Sequence, residues 1–471
     1  MTDHTAFIAT YKRFLDDVVE QYTGADNALP PLTADVNAHL GADARELAVV
    51  RERLSPARLV DADLALADVG ERGGRHEIVG VVGGRDHDEE SFAGLLRGEA
   101  GDVRAGPADY VSLATGPDTE RQVVSFGIHL LTYDGQPIAV LQRDASREWG
   151  LEQATLEVLA TDRETAASLL SEVRRLMIER SVLRGRLVSF SGDEYESTLG
   201  GITFHRRPQV AADEVVLPAG TMERLSRHVI GVGEQRERML AAGQHLKRGI
   251  LLYGPPGTGK TLTVRHLLGR TETTAIMLSG RSLGLIGEAT KIARAMQPAI
   301  IVLEDCDLIA QDRDFDDRPD AGLFEFLDAL DGLDGDADVT FLLTTNRADL
   351  LERALAQRPG RIDLAVPIPL PDESARRALF ALYGRGLPFS AGGLDTAATR
   401  SEGVTASFAK ELVRRAVLNA AIAGSEPDDV QLSSALDELL SDAEALTRSL
   451  LASGPRQFDD PDDDLDDPDD D

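Results

Sequence analysis

The stretch Gly254-Pro255-Pro256-Gly257-Thr258-Gly259-Lys260-Thr261 constrains this chain more than any other. It fits the spacing G-x-x-x-x-G-K-[ST] at every fixed position. The run before it, 249–253, reads as a buried parallel strand, and 262–268 reads as a helix. Strand, glycine-rich turn and helix in that order set one local geometry. Gly254, Gly257 and Gly259 let the backbone curl until its N–H groups face inward, where phosphate oxygens can accept them. The helix that opens with Lys260, Thr261 and Leu262 adds the partial positive charge of its N-terminus at the same place. Lys260 can reach the β- and γ-phosphates of a nucleotide, and the Thr261 hydroxyl can ligate Mg2+.

Composition limits the remainder. The 471 residues suffice for roughly two to four domains, and a hydrophobic content of 42% can fill their cores. No apolar run approaches the ~18–20 residues of a membrane span. No n-region followed by an apolar stretch opens the chain, so no signal peptide is expected. Cys306 stands alone and cannot form an internal disulfide, which with a nucleotide site points to the cytoplasm. The net charge is −32, and ten of those charges are the aspartates of 459–471, leaving −22 over the rest. A body that acidic repels phosphate backbones, which disfavours nucleic acid as a partner.

Residues 1–190 carry alternating structure signals and no chemistry. Phe14, Leu15, Val18 and Val19 share a helical face within 11–22, 25–33 reads as a proline-bearing loop, and 46–60 reads as a second helix interrupted near Pro56. Residues 76–82, 121–132, 136–142 and 155–160 read as strands, with a hairpin turn at Tyr133-Asp134-Gly135. Asp162 can cap a helix through Arg180, whose Ala166, Leu169, Leu170, Val173, Leu176 and Met177 form one face. Residues 186–190 read as a returning strand. His129 lies in an apolar strand and is expected to be a packed core histidine. Neither a nucleophile–base pair nor metal-ligand spacing occurs in this region, so it reads as a recognition or adaptor domain. Residues 191–212, with several glycines and Pro208, read as a linker.

Further motifs follow the phosphate loop. The apolar strand 298–303 ends in Glu304-Asp305-Cys306-Asp307. Carboxylates at a strand end beside a phosphate loop suit two tasks, holding Mg2+ and orienting the attacking water. The strand 339–345 ends on Asn346, which at a strand tip can hold that water by hydrogen bonds, although a turn asparagine is the plain alternative. Arg358-Pro359-Gly360-Arg361 sets two guanidinium groups on a rigid turn, suited to phosphate or to a surface salt bridge. Cys306 reads most simply as a small buried residue.

Taken in order, residues 254–261, 304–307, 344–347 and 358–363 make 213–445 resemble the AAA family of P-loop ATPases, part of the wider AAA+ group. The resemblance implies an α/β fold, with a P-loop AAA+ core of parallel sheet flanked by helices at 213–371. A small helical lid follows at 372–453, with helices expected over 374–383, 405–422 and 432–446. An α+β N-terminal domain precedes the core at 1–190, and an acidic tail at 454–471 is too polar to pack. By the same resemblance the ligands are ATP and Mg2+, held by residues 254–262, with Thr261 and Glu304 on the metal. Asp305 orients water, Asn346 is the first sensor, and Arg358 and Arg361 are arginine fingers reaching a neighbouring subunit. Fingers acting in trans imply a homo-oligomeric ring, a hexamer in this family, that acts on a protein client.

Three departures stand out. The family's usual Asp-Glu order is reversed to Glu304-Asp305, an order that resembles the mitochondrial AAA family that translocates the Rieske iron–sulfur protein. The central pore loop usually carries an aromatic residue, whereas the matching stretch here is Leu285-Ile286-Gly287, a weaker grip on an extended peptide. The stretch 287–298 is also short. The charged run 311–320 reads as a solvated loop or as a second pore loop, and the tail as a solvating segment or a docking peptide. The expected function is ATP hydrolysis by a ring that remodels, disassembles or translocates a protein client held by the N-terminal domain. The alternative is an ATP-gated scaffold with slow hydrolysis. A fused zinc protease is not expected, because no H-E-x-x-H occurs.

Overall fold

The computed structural model describes residues 30–85, 87–146, 151–190, 201–306, 332, 336–347 and 362–452, with side chains to 441. The helix expected over 11–22, Asp307, the charged run 311–320, Arg358, Arg361 and the acidic tail lie outside these residues.

Strands β1 (Val49–Leu54), β2 (His76–Gly83), β3 (Val103–Gly106), β4 (Asp109–Gly116), β5 (Thr119–Tyr133), β6 (Gln136–Arg143) and β7 (Ala154–Ala160) make an antiparallel sheet. Its order is β1-β7-β6-β5-β2-β3, with β4 paired to β5. Side chains alternate between its faces. Ile138 and Val140 meet helices α2 (Leu59–Arg72) and α4 (Arg163–Glu179), while Ala139 and Leu141 meet α1 (Pro31–Leu40) and α3 (Phe92–Arg97). The β5–β6 hairpin turns at Asp134 and Gly135, with φ of 49° and 77°, the turn whose twist matches its strands. Asp162 caps α4 by accepting the Thr165 N–H at 2.7 Å.

Two expectations here are corrected. Residues 49–54 are strand, not helix, because β1 finds an antiparallel partner in β7 about a hundred residues away, with Arg51 opposite Glu157 and paired to it at 3.0 Å. The proline loop is shorter than expected, since Pro31 opens α1, where its missing N–H costs nothing. His129 is fully buried as expected, with Nδ1 3.0 Å from His76 Nε2, and burial pushes it down to about 3.

The second sheet contains β8 (Leu187–Phe190), β9 (Ile202–His205), β10 (Arg248–Tyr253), β11 (Thr274–Ser279), β12 (Ala299–Glu304), β13 (Val339–Thr345) and β14 (Leu364–Pro367). Its order is β14-β10-β13-β12-β11-β8-β9, parallel except for β9. Strand β8, read from the sequence as the end of the N-terminal domain, thus belongs to this sheet, and β9 forms inside the expected linker. Ile301, Leu303, Phe341 and Leu343 face α6 (Ile286–Ala295). Ile300, Val302 and Leu342 face α5 (Lys260–Gly269) and the short helical turns over 221–241. Both faces are covered, which is why these strands read as continuous apolar runs.

The C-terminal helices α7 (Glu373–Tyr383), α8 (Ala391–Arg400), α9 (Ala406–Ala423) and α10 (Asp429–Ala452) share a separate core. The sequence reading lacked α8, because Gly392 and Gly393 lower its helix propensity. Ser390 caps it, accepting the Gly393 N–H at 2.9 Å.

Candidate functional site

Ligands of an open parallel sheet bind beyond the carboxyl ends of its strands. The C-terminal ends of three adjacent strands, β10, β12 and β13, bring together Gly254, Glu304, Asp305 and Asn346. The loop 254–259 curls through left-handed backbone at Gly254, Gly257 and Gly259, with φ of 151°, 75° and 106°. A Cβ at Gly254 would fall 2.1 Å from the Ile368 carbonyl oxygen, so only glycine lets this loop lie against β14 and its continuation. Thr258 Oγ1 donates to the Pro255 carbonyl at 2.9 Å and fixes the outer bend.

Lys260 opens α5 and is buried. Its Nζ donates to the carbonyl oxygens of Gly254 and Pro255 at 2.8 and 2.9 Å, and to Asn346 Oδ1 at 2.8 Å. The Asn346 amide donates onward from Nδ2 to Asp305 Oδ1 at 3.2 Å. A single polar chain therefore links the loop lysine, the strand-tip asparagine and the second acid. The structure unites these sequence-selected residues across 86 and 41 positions of chain.

Glu304 and Asp305 part company in their surroundings. Burial pushes the Glu304 carboxyl above its ordinary range, opposed by a hydrogen bond from Thr261 and by the Arg265 charge, and assisted by the negative charge of Asp305. Its Oε1 is buried without a hydrogen-bond partner. An orphaned carboxylate oxygen beside a threonine hydroxyl fits Mg2+, a hard cation that takes one or two protein oxygens and completes its shell with water and phosphate. Thr261 and Glu304 are the residues that would hold the ion. Asp305 turns the other way, with φ of 52° and its N–H donated to Thr344 Oγ1 at 3.0 Å.

Two contacts go beyond the sequence reading. The lid reaches the phosphate loop directly, since Ser407 N donates to the Gly257 carbonyl at 3.0 Å and its Oγ lies 3.3 Å from the same oxygen. Ile286 is buried in the core beneath α6, and Leu285 packs against the same core. The stretch matched to a pore loop therefore supplies packing. Its signal was present, since Ile286 begins an amphipathic helix. Arg358 and Arg361 lie outside the described residues.

Among the described residues no helix is long and apolar enough to cross a membrane. Among them, too, no group of three or more His, Cys, Asp or Glu side chains could hold a metal ion by itself.

Residues 250–370 match the family described as "ATPase family associated with various cellular activities (AAA)". An ATP-dependent zinc metalloprotease FtsH 2 of Sphaerobacter thermophilus is 34% identical over 198 residues, 39% of this chain and 30% of that protein. A 26S protease regulatory subunit 6A of Caenorhabditis elegans is 31% identical over 208 residues, 41% of this chain and 48% of that protein. An ATP-dependent zinc metalloprotease FtsH of Mycobacterium tuberculosis is 29% identical over 303 residues, 58% of this chain and 39% of that protein. The chain spans less than half the length of each of these relatives.

Proposed function

We propose that this chain is an ATPase of the AAA family, whose model matches residues 250–370, and that it hydrolyses ATP in a homo-oligomeric ring to remodel a protein client. The observation that carries the reading is the polar chain from Lys260 through Asn346 to Asp305, set beside the orphaned Glu304 carboxylate. Residues 254–262 take the phosphates through loop N–H groups and Lys260. Thr261 and Glu304 would hold Mg2+, which would supply neutralisation of phosphate charge. Asn346 Nδ2 donates to Asp305 Oδ1 at 3.2 Å, and these two side chains are the ones assigned to orient the attacking water. Arg358 and Arg361 are assigned to the next subunit's site, a role worth ~10³–10⁵ in rate for such fingers.

The relatives named zinc metalloproteases and protease regulatory subunits favour a protein as client. We assign 1–186 to client or adaptor recognition, 187–371, with β8 and β9, to the ATPase core, 372–453 to the lid and 454–471 to the acidic tail. The hairpin β8–β9, which extends the ATPase sheet out of the N-terminal domain, supplies a mechanical link between the first two. The cytoplasm is the proposed location, on the single cysteine.

Burial of Ile286 and partial burial of Leu285 favour a second reading, an ATP-gated scaffold with slow turnover, because the pore-loop match offers little side chain to grip a peptide. Steady-state ATPase activity against protein concentration separates the two. Specific activity that rises with concentration, is lost in Arg361→Ala with nucleotide binding kept, and loses binding itself in Lys260→Ala supports the motor. A flat rate within the ~10⁻⁴–10⁻² s⁻¹ of unassisted P-loop switches, indifferent to Arg361, supports the scaffold.

A further inference from the structure

The chain leaves β12 by an unusual backbone step. Asp305 has φ of 52°, and the only other non-glycine at positive φ among the described residues is Asp134, in the hairpin turn. Left-handed backbone is hostile to most side chains, and aspartate is among the few that tolerate it. The β12–β13 ladder stops at Leu303 opposite Leu343. The Asp305 N–H is taken instead by the side chain of the next residue on β13, Thr344, at 3.0 Å. Thr344 is 1% exposed and cannot turn away to water.

We propose that Thr344 is a positioning residue for ATP hydrolysis: its hydroxyl holds Asp305 in the left-handed conformation that directs the Asp305 carboxylate to Asn346. This rests on the hydrolytic reading above and deepens it. It also accounts for the reversed acid order. A left-handed step at 305 favours the shorter acid, and the same step turns that carboxylate toward Asn346 Nδ2, 3.2 Å away. The metal-side acid remains in β12, where extended backbone accepts glutamate. Loss of the Thr344 hydroxyl leaves the Asp305 N–H without its acceptor and frees the turn to relax, which moves the water-orienting carboxylate. Misplacement of a reacting group by about 1 Å can cost ~100-fold in rate.

The test uses the full chain with Mg2+ and ATP. Thr344→Val keeps the branched shape and deletes the acceptor, whereas Thr344→Ser keeps the acceptor. The expected result is a fall in kcat of about 10- to 100-fold in Thr344→Val, with KM and ADP affinity within about twofold. Recovery in Thr344→Ser to within about threefold of the parent is also expected. Thr344→Val added to Asp305→Asn should then cause no further loss, because the group it positions is already disabled. Unchanged kcat in Thr344→Val overturns the inference, as does an undiminished additional loss in the Asp305→Asn background. Thr344→Ala carries the same comparison should the valine variant fail to fold. Absence of turnover in the parent chain would instead refute the hydrolytic reading itself.

Discussion

Arg248 opens β10, the strand that feeds the phosphate loop, and its substitution gives the sharpest test of how that loop is held. Its guanidinium is buried and meets four partners. Nη1 donates to Asp338 Oδ1 at 2.8 Å and to the Leu246 carbonyl at 2.6 Å, Nε to the His228 carbonyl at 2.8 Å, and Nη2 to the Val229 carbonyl at 3.1 Å. The side chains of Arg248 and Asp338 are 8% and 2% exposed, so neither charge has recourse to water. Arg248→Met removes one member of a buried pair and strands the other, at a cost of about 3–5 kcal/mol. The double variant Arg248→Met/Asp338→Leu removes both charges and should recover most of that loss, since apolar replacement of a buried pair is often neutral. A unit the size of this ATPase region shifts by roughly 2–4 °C per kcal/mol, so the single variant should melt roughly 6–20 °C lower. Differential scanning calorimetry, following the transition that ADP binding raises, reads both variants. A loss under about 1 kcal/mol in Arg248→Met, or a double variant no better than the single one, would refute the claim that this pair clasps the helical turns over 221–231 to the sheet.

Three further outcomes are expected. Because burial raises Glu304, the folded chain holds its proton above the ordinary value of 4.5, and stability falls as pH rises from there through the raised value. Glu304→Gln should flatten that slope in metal-free protein and abolish Mg2+-dependent turnover, read by melting against pH and by ATPase assay. Gly257→Ala adds a Cβ 3.0 Å from Ser407 Oγ at φ of 75°. It should weaken nucleotide binding about tenfold, on ~1–2 kcal/mol of left-handed strain, whereas Gly403→Ala, also at positive φ but meeting nothing within 4 Å, should leave affinity unchanged in a fluorescent-nucleotide titration. Asp162→Ala removes the cap of α4 and should cost about 1 kcal/mol in urea unfolding, with ATPase activity intact.

What was legible in the sequence was local. Glycines at fixed spacing with a lysine and a threonine determine a phosphate loop wherever a strand precedes and a helix follows, because the turn needs only its own residues. The buried face of α4 was readable residue by residue, from Ala166 to Met177, since a 3.6-residue period is carried by the helix alone. The hairpin at Asp134-Gly135 was readable for the same reason. Other features depend on partners far along the chain. Strand β1 exists because β7 pairs with it, and β8 belongs to the ATPase sheet because β11 accepts it. The stretch 285–287 matched a pore loop, but the sheet's apolar face buries Ile286 and packs against Leu285. The reversed acids could be seen in the sequence, but only the tertiary structure decided what the order does. The Thr344 hydroxyl captures the Asp305 amide across the sheet and turns the carboxylate toward Asn346. Periodicity and motif spacing report how neighbours in the chain share one element. The direction of a carboxylate is set by which donors and acceptors the folded sheet brings within 3 Å or so of it, and those come from strands dozens of residues apart.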